Sequence, residues 1–535
     1  MSMSPNQSGL EYVSTRKPEI KGSYAQTVIE GLSPEGGLYM PTQMPEAFDE
    51  AFISRLPDMK MSEVSFELMR RFVPREAVDD KTLKEMMEEA HNFDIPVDHI
   101  DEHTSVAHLD EGPTAAFKDI AARVLAQLLS YENEKRGGRT NILTATSGDT
   151  GVAIADAFSG KKSETVTVLY PTNGVSPIQE KHMLDVAANN RNVQVIPVEG
   201  KFNYAQDLAK ILLRAGKLDS ESAEDIGIIR KEIKELLEQD LSDDQVVRLM
   251  WDAKGDSLGS ANSINFWRLA PQMTQYFVAY GQMVKQGRIK DGDELTFAVP
   301  TGNAGHLVAG VMARKMGLPI NKFVAGTNHN NGLAYLIGNK VIQTDGKHET
   351  AAPSMDIDEP NNLERLLWLV VQQEDSKVDV KYAEIQQAIR QFKQGNDPIP
   401  LSQFGVSDEV IDYLQDLIFA EDITSDKAIA EEMGRVSRLT GGKVVVDSHG
   451  AAGTNAAKVA REKGWIAQDQ VVCALKTAHP DKFPEPEEAA GVAAPKKHPA
   501  LEPLKAMRLE DMDKPQATRD ILEVRRRVDV LSKAA

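Results

Sequence analysis

The sequence predicts a parallel α/β protein. Three observations lead there: short, β-branched apolar runs recur from residue 141 onward, each stops at glycine, serine or asparagine, and each is followed by a helix-period pattern. The runs lie at 141–146, 165–170, 193–198, 295–299, 322–325, 443–446 and 471–475. In open parallel sheets small molecules bind where loops leave the carboxyl ends of strands, so the loops after these runs are the places to look for chemistry.

Taken in chain order, 19–90 holds helix-period stretches such as Met61, Val64, Leu68 and Phe72, at spacings of three and four. This predicts a mainly helical N-terminal domain over 1–100, ahead of a large region over 101–535 with a smaller α/β subdomain at about 135–200. Within the interval 216–250, the stretch 217–244 is strongly charged and places Ile226, Ile229, Ile233 and Leu237 at helical spacing, which reads as an amphipathic insertion packed on a domain surface. Residues 490–499 read as a loop. The stretch 514–532 reads as a terminal helix with Ile521, Val524, Val528 and Leu531 on its apolar face.

A chain of 535 residues with 41% hydrophobic and 27% charged residues has the balance of a globular protein, not of a disordered, collagenous or membrane-embedded one. Sixty-one basic against 81 acidic residues leave a net charge of −20, so no nucleic-acid partner is expected and any anionic ligand needs a local basic pocket. The single cysteine, Cys473, supports neither an internal disulfide nor a thiolate metal site. Residues 1–8 are polar, without the apolar stretch of a signal segment, and no apolar run approaches a membrane span. A cytoplasmic protein without a membrane partner is expected.

Three loops stand out. GPTAAFKD at 112–119 precedes an apolar helical run, so Lys118 sits at a loop-to-helix junction where helix dipoles and apolar neighbours favour a nucleophilic amine. TATSGDTG at 144–151 follows a strand, and its hydroxyls and glycine N–H groups make an anion site at a helix N-terminus. VPTGNAGHLVAG at 299–310 repeats the strand, glycine loop and helix, with room for a single phosphate. It lacks the spacings of both the dinucleotide fingerprint and the P-loop, which disfavours a nicotinamide-dependent dehydrogenase. On local grounds Lys118 reads more readily as an exposed surface lysine, and the second and third loops read equally well as capped strand-to-helix turns. No histidine or cysteine spacing suggests a metal site, and His449 and His479 read as capping or packing residues.

Together and in this order the three motifs resemble the threonine synthase family, pyridoxal 5'-phosphate (PLP) enzymes of fold type II, the tryptophan-synthase-β-like fold. The resemblance extends to YVSTR at 12–16, GLSPEGGLYMP at 31–41, YPTNGVSPIQEKHM at 170–183, NSINFWR at 262–268, PSMDI at 353–357, NNLERLL at 361–367 and TAHPDKFPE at 477–485. It implies two parallel-sheet α/β domains with a helical N-terminal segment. The implied activity is conversion of O-phospho-L-homoserine and water to L-threonine and phosphate, by a monomer or homodimer. Another PLP-dependent elimination or replacement, on serine, homoserine or a different phosphorylated amino acid, is the alternative.

The resemblance also implies roles. Lys118 carries the cofactor as an imine, with Phe117 beside it. Gly302, Asn303, Ala304 and Gly305 cradle its phosphate, and Thr477 faces its pyridine nitrogen. Ser147, Gly148, Asp149 and Thr150 hold the substrate carboxylate, with Asp149 also near the cofactor ring, and Ser263 and Arg268 bind the substrate phosphate. Two departures accompany this. Family members commonly read GNFGN where this chain has GNAGH, with Ala304 and His306, and many carry a basic residue where PTNGVS at 171–176 has none.

Overall fold

The computed structural model describes residues 10–250, 256–346, 348–357, 359–371, 380–392, 395–420, 425–484, 486, 490–492 and 494–534. The polar start at 1–8, and Glu485 and Ala493 within the motif 477–485 and the loop 490–499, lie outside them. The chain divides into two compact units.

The first unit is formed by residues 1–24, 40–120 and 269–498. Its six-stranded sheet runs in the order Ile418–Ala420, Ile320–Gly326, Leu295–Pro300, Val472–Lys476, Thr104–His108 and Val97–His99. All neighbours are parallel except the last pair. Ala298 pairs with Ala474 and Ala474 with Val106, so three adjacent strands end together and release their loops at one edge. Those loops begin at Thr301, Thr477 and Leu109. The N-terminal helix expected around Met61 is Met61–Arg70, with Met61, Val64 and Leu68 buried on its inner face.

The second unit comprises residues 25–39, 121–268 and 499–535. Its sheet, Val193–Val198, Glu164–Pro171, Arg139–Ala145 and Asp256–Gly259, is wholly parallel. The unit extends well beyond 135–200 because Asp256–Gly259 adds a fourth strand and the chain terminus packs into the same core. In that core Ile229, Ile233 and Leu237 of the insertion cluster with Leu208, Leu212, Ile521, Val524 and Val528. The insertion therefore buries its apolar stripe as a surface-packed element, at about 1.5–3 kcal/mol per large side chain. It is not one helix but Ala223–Glu232, a five-residue π turn at Ile233–Leu237, and Asp243–Val247. The terminal helix is Ile521–Ala534, starting later than 514.

One expected strand is absent. Residues 443–446 form no ladder; Val444, Val445 and Val446 are buried in an irregular segment that leads to Asp447, the N-cap of Ser448–Glu462. A short apolar run reports burial, not conformation. Conversely, Thr104–His108, Asp256–Gly259 and Ile418–Ala420 are strands whose sequences, TSVAH, DSLG and IFA, are too polar or too short to signal. Among the described residues no helix is long and apolar enough to cross a membrane.

Candidate active site

In the first unit, Lys118 is the first residue of the helix Lys118–Arg136. The loop before it is closed by Asp119, which is buried and accepts from the Thr114 N–H (2.8 Å) and hydroxyl (2.6 Å). Gly112 is required here: a Cβ would come within 2.5 Å of the Asp119 carboxylate. The loop is also stapled to the end of the neighbouring strand. The Phe117 N–H donates to the Thr477 carbonyl (2.9 Å), the His479 N–H donates to the Ala115 carbonyl (3.0 Å), and Ala116 and Ala478 form an antiparallel bridge. Lys482 donates to the Thr114 carbonyl at 2.7 Å. Thus Lys118, Phe117 and Thr477 are brought together by main-chain bonds, and Ala115 is held at φ 54°, a conformation that costs a non-glycine residue about 1–2 kcal/mol.

The glycine turn leaves the adjacent strand. Ala304, at φ 59°, is the N-cap of Gly305–Lys315, so the amides of that helix's first turn lack intrahelical acceptors and face outward. Asn303 is clamped from outside: its side-chain oxygen accepts from the Asn361 N–H (2.7 Å), and its carbonyl accepts from the Asn362 side chain (3.2 Å). Asn362 in turn accepts from the fully buried Arg365 at 2.9 Å. Such a turn suits a phosphate monoester. His306, next in the chain, is 6% exposed and stacks on Phe117 with ring centroids 4.7 Å apart and planes 20° apart. The Lys118 amine lies 4.2 Å from the centroid of the same Phe117 ring. Burial, reinforced by the charge of Lys118, pushes the His306 imidazole down to about 3.

Beneath these loops, Lys476 and Asp110 form a buried ion pair at 2.6 Å. Burial alone would raise the Asp110 carboxyl, but Lys476 and then His108 outweigh it and hold it below its usual range. Burial, with Lys476 beside it, pushes His479 down to about 4. His479 caps Pro480–Lys482, and His449 bonds Asp447 (2.7 Å) and the Ser354 N–H (3.0 Å), so both are the capping and packing histidines expected. Burial pushes Cys473 up to about 12, which makes it an inert thiol.

In the second unit, 146–151 joins the strand Arg139–Ala145 to the helix Asp149–Ala157. Thr146 Oγ1 accepts from the N–H groups of Gly148 (2.9 Å) and Gly151 (2.8 Å), which curls the loop. Gly148 sits at φ 136°, and a Cβ there would meet Gln179 at 2.3 Å. Asp149 is buried and accepts from the Gln179 side chain at 2.8 Å, whereas Ser147 and Thr150 are partly exposed. The segment of Ser263 and Arg268 starts beside this loop, where Asn262 donates to the Ala145 carbonyl at 2.8 Å. Ser263 is partly exposed; Arg268 is buried, with its guanidinium donating to the Ala261 carbonyl. Sequence reasoning assigned no role to Gln179, Asn361 or Asn362. The spacing of Ser176 and Gln179 marks a capping box, which does form, but the reach to Asp149 leaves no local signal.

A family profile described as the threonine synthase N terminus matches residues 11–91. The threonine synthase of Pseudomonas aeruginosa is 30% identical over 488 residues, covering 90% of this chain and 91% of its own. The chain belongs to the threonine synthase family. Among solved structures, PLP-bound threonine synthase from Brucella melitensis superposes with a TM-score of 0.76 at 28% identity, covering 98% of this chain and 100% of that one. Yeast threonine synthase gives 0.77 at 26% identity, covering 99% and 100%. The fold class expected from the sequence is borne out by these threonine synthase structures.

Proposed function

We propose that this chain is a cytoplasmic, PLP-dependent lyase that converts O-phospho-L-homoserine and water to L-threonine and phosphate, with Lys118 as the amine that holds the cofactor. The observation that carries this reading is the convergence of Lys118, Thr477 and the 302–305 turn at one sheet edge, in a chain of the threonine synthase family. The residues present fit the cofactor. An amine stands at a helix N-terminus beside an aromatic face, and the outward amides of a second helix N-terminus, at Gly302, Asn303, Ala304 and Gly305, suit its phosphate.

When bound, PLP supplies delocalisation for negative charge at the substrate carbons next to the amine. As a free amine beside the substrate, Lys118 would be the base that takes the α and β protons; once phosphate has left Cγ it would return one proton to Cγ, and after the oxygen of water has added at Cβ, with the proton of water passing to the departing phosphate, it would return the other to Cα. Thr477 would offer the cofactor's pyridine nitrogen a neutral hydroxyl, and Phe117 would pack alongside. Ser147, Gly148, Asp149 and Thr150 take the substrate carboxylate, and the bond from Gln179 holds Asp149 in place. Ser263 and Arg268 take the leaving phosphate, which inside a protein of charge −20 needs local positive charge.

The second reading, elimination or replacement on another amino acid, draws its support from Arg268 bonding its own main chain and from the absence of a basic residue at 171–176. Lys118→Ala tests the shared core of both readings. The wild type is expected to develop an imine absorbance band with PLP, and the variant to show none while keeping its circular dichroism. A folded Lys118→Ala protein that still turns over substrate would overturn the assignment.

A further inference from the structure

The glycine turn that follows Leu295–Pro300 is enclosed by two pieces of chain, 353–357 and 361–362. Gly302 lies so close to the first that a Cβ there would come within 2.8 Å of the Met355 Cα and 3.2 Å of the Ser354 carbonyl oxygen. The second piece holds Asn303 through Asn361 and Asn362. In a close-packed interior a backbone pressed against Gly302 leaves that residue no room to shift, so the shape of the turn depends on where 353–357 is held.

Two buried side chains hold it from behind. Asp356 accepts from Asn328 (2.8 Å), Asn330 (3.1 Å), and the Thr350 hydroxyl (2.7 Å) and N–H (3.0 Å). The other is His449, whose Nε2 accepts from the Ser354 N–H at 3.0 Å. A ring nitrogen that accepts carries no proton, so the proton sits on Nδ1, which donates to the Asp447 carboxylate at 2.7 Å. Asp447 is fixed in turn as the N-cap of Ser448–Glu462, accepting from the N–H groups of His449 and Gly450. That helix is seated on the strand that carries the turn: a Cβ on Gly453 would stand 3.2 Å from Pro300. Contacts thus run from Pro300 through the helix, Asp447, His449 and Ser354, and return to the same chain segment at Gly302.

We propose that His449 is a positioning residue for the cofactor phosphate: by pinning the Ser354 N–H to the start of Ser448–Glu462 it keeps 354–355 against Gly302, and so holds the amides of 302–305 in the geometry a phosphate monoester needs. The inference rests on the reading of 302–305 given above. It gives DSHGAAG at 447–453 a task in the site that capping and packing alone do not supply.

The probes are PLP and pyridoxal, which has the same ring and aldehyde without the phosphate, each titrated into the apoprotein and followed by the imine band. His449→Asn keeps an amide that bonds Asp447 but is too short to reach the Ser354 N–H, whereas His449→Gln returns an acceptor to the reach of Nε2. In His449→Asn the Kd for PLP should rise about tenfold, the worth of one hydrogen bond, while the Kd for pyridoxal changes less than about twofold. His449→Gln should recover most of the PLP affinity. A histidine that only stabilised the fold would weaken both ligands alike or neither, so the ratio of the two Kd values decides. Should His449→Asn fail to fold, His449→Leu, closer to histidine in volume, removes the same acceptor. A folded Asn or Leu variant with the wild-type ratio overturns the role of His449 alone. A wild-type protein that binds pyridoxal as tightly as PLP overturns the reading of 302–305 and this proposal with it.

Discussion

The side-chain amide of Gln179 donates to the carboxylate of Asp149 at 2.8 Å, so the residue that completes the capping box of one helix also fixes the first residue of another. One side chain sets the geometry of two helix N-termini, one of them in the loop assigned above to the substrate carboxylate.

Gln179→Ala should therefore act twice. Loss of the cap and of the bond to Asp149 is expected to lower stability by about 1–2 kcal/mol, read from denaturant midpoints. KM for the amino-acid substrate should rise severalfold while PLP absorbance stays unchanged. An unaltered KM would separate Asp149 from substrate binding.

The clamp on Asn303 gives a second expectation. Asn362→Leu removes both the donor to the Asn303 carbonyl and the acceptor for the buried Arg365. PLP affinity of the apoprotein should fall about tenfold, equivalent to about 1.4 kcal/mol, with stability falling by about 1–3 kcal/mol. Wild-type affinity in this variant would show that the turn holds its shape without Asn362.

Acid should weaken the first unit through Asp110. Its carboxyl is depressed in the folded protein relative to 3.8, so the pair with Lys476 contributes stability that is present above that pH and is lost as the pH falls through and below it. Asp110→Asn should flatten this part of the pH–stability curve. It should also destabilise the protein at neutral pH by about 3–5 kcal/mol, because the variant leaves Lys476 charged and buried. Chemical denaturation between pH 3 and 7 reads both effects.

Arg268→Ala separates the two readings of substrate. A large fall in kcat/KM with O-phospho-L-homoserine, with the cofactor band retained, is expected if the guanidinium turns from the Ala261 carbonyl to the leaving phosphate. An unchanged kcat/KM would remove Arg268 from that task.

Much of this site was legible in the sequence because its parts are strand-to-loop junctions with local signatures. Lys118 stands at a helix start, GNAGH opens a helix after a strand, and the sheet order brings the two loops to one edge. What was not legible depends on contacts between residues far apart in the chain. The stack of Phe117 on His306, the clamp from Asn361 and Asn362 onto Asn303, and the reach of Gln179 to Asp149 leave no periodicity or spacing behind. The mistaken strand at 443–446 has the same origin: buried valines satisfy an irregular segment as well as a ladder.

The most direct test of the account is a phosphate-release assay on the purified protein with O-phospho-L-homoserine, with the imine band recorded beforehand and the amino-acid product identified afterwards. Phosphate released in step with L-threonine is the expected result. An imine band with neither phosphate nor threonine would contradict it.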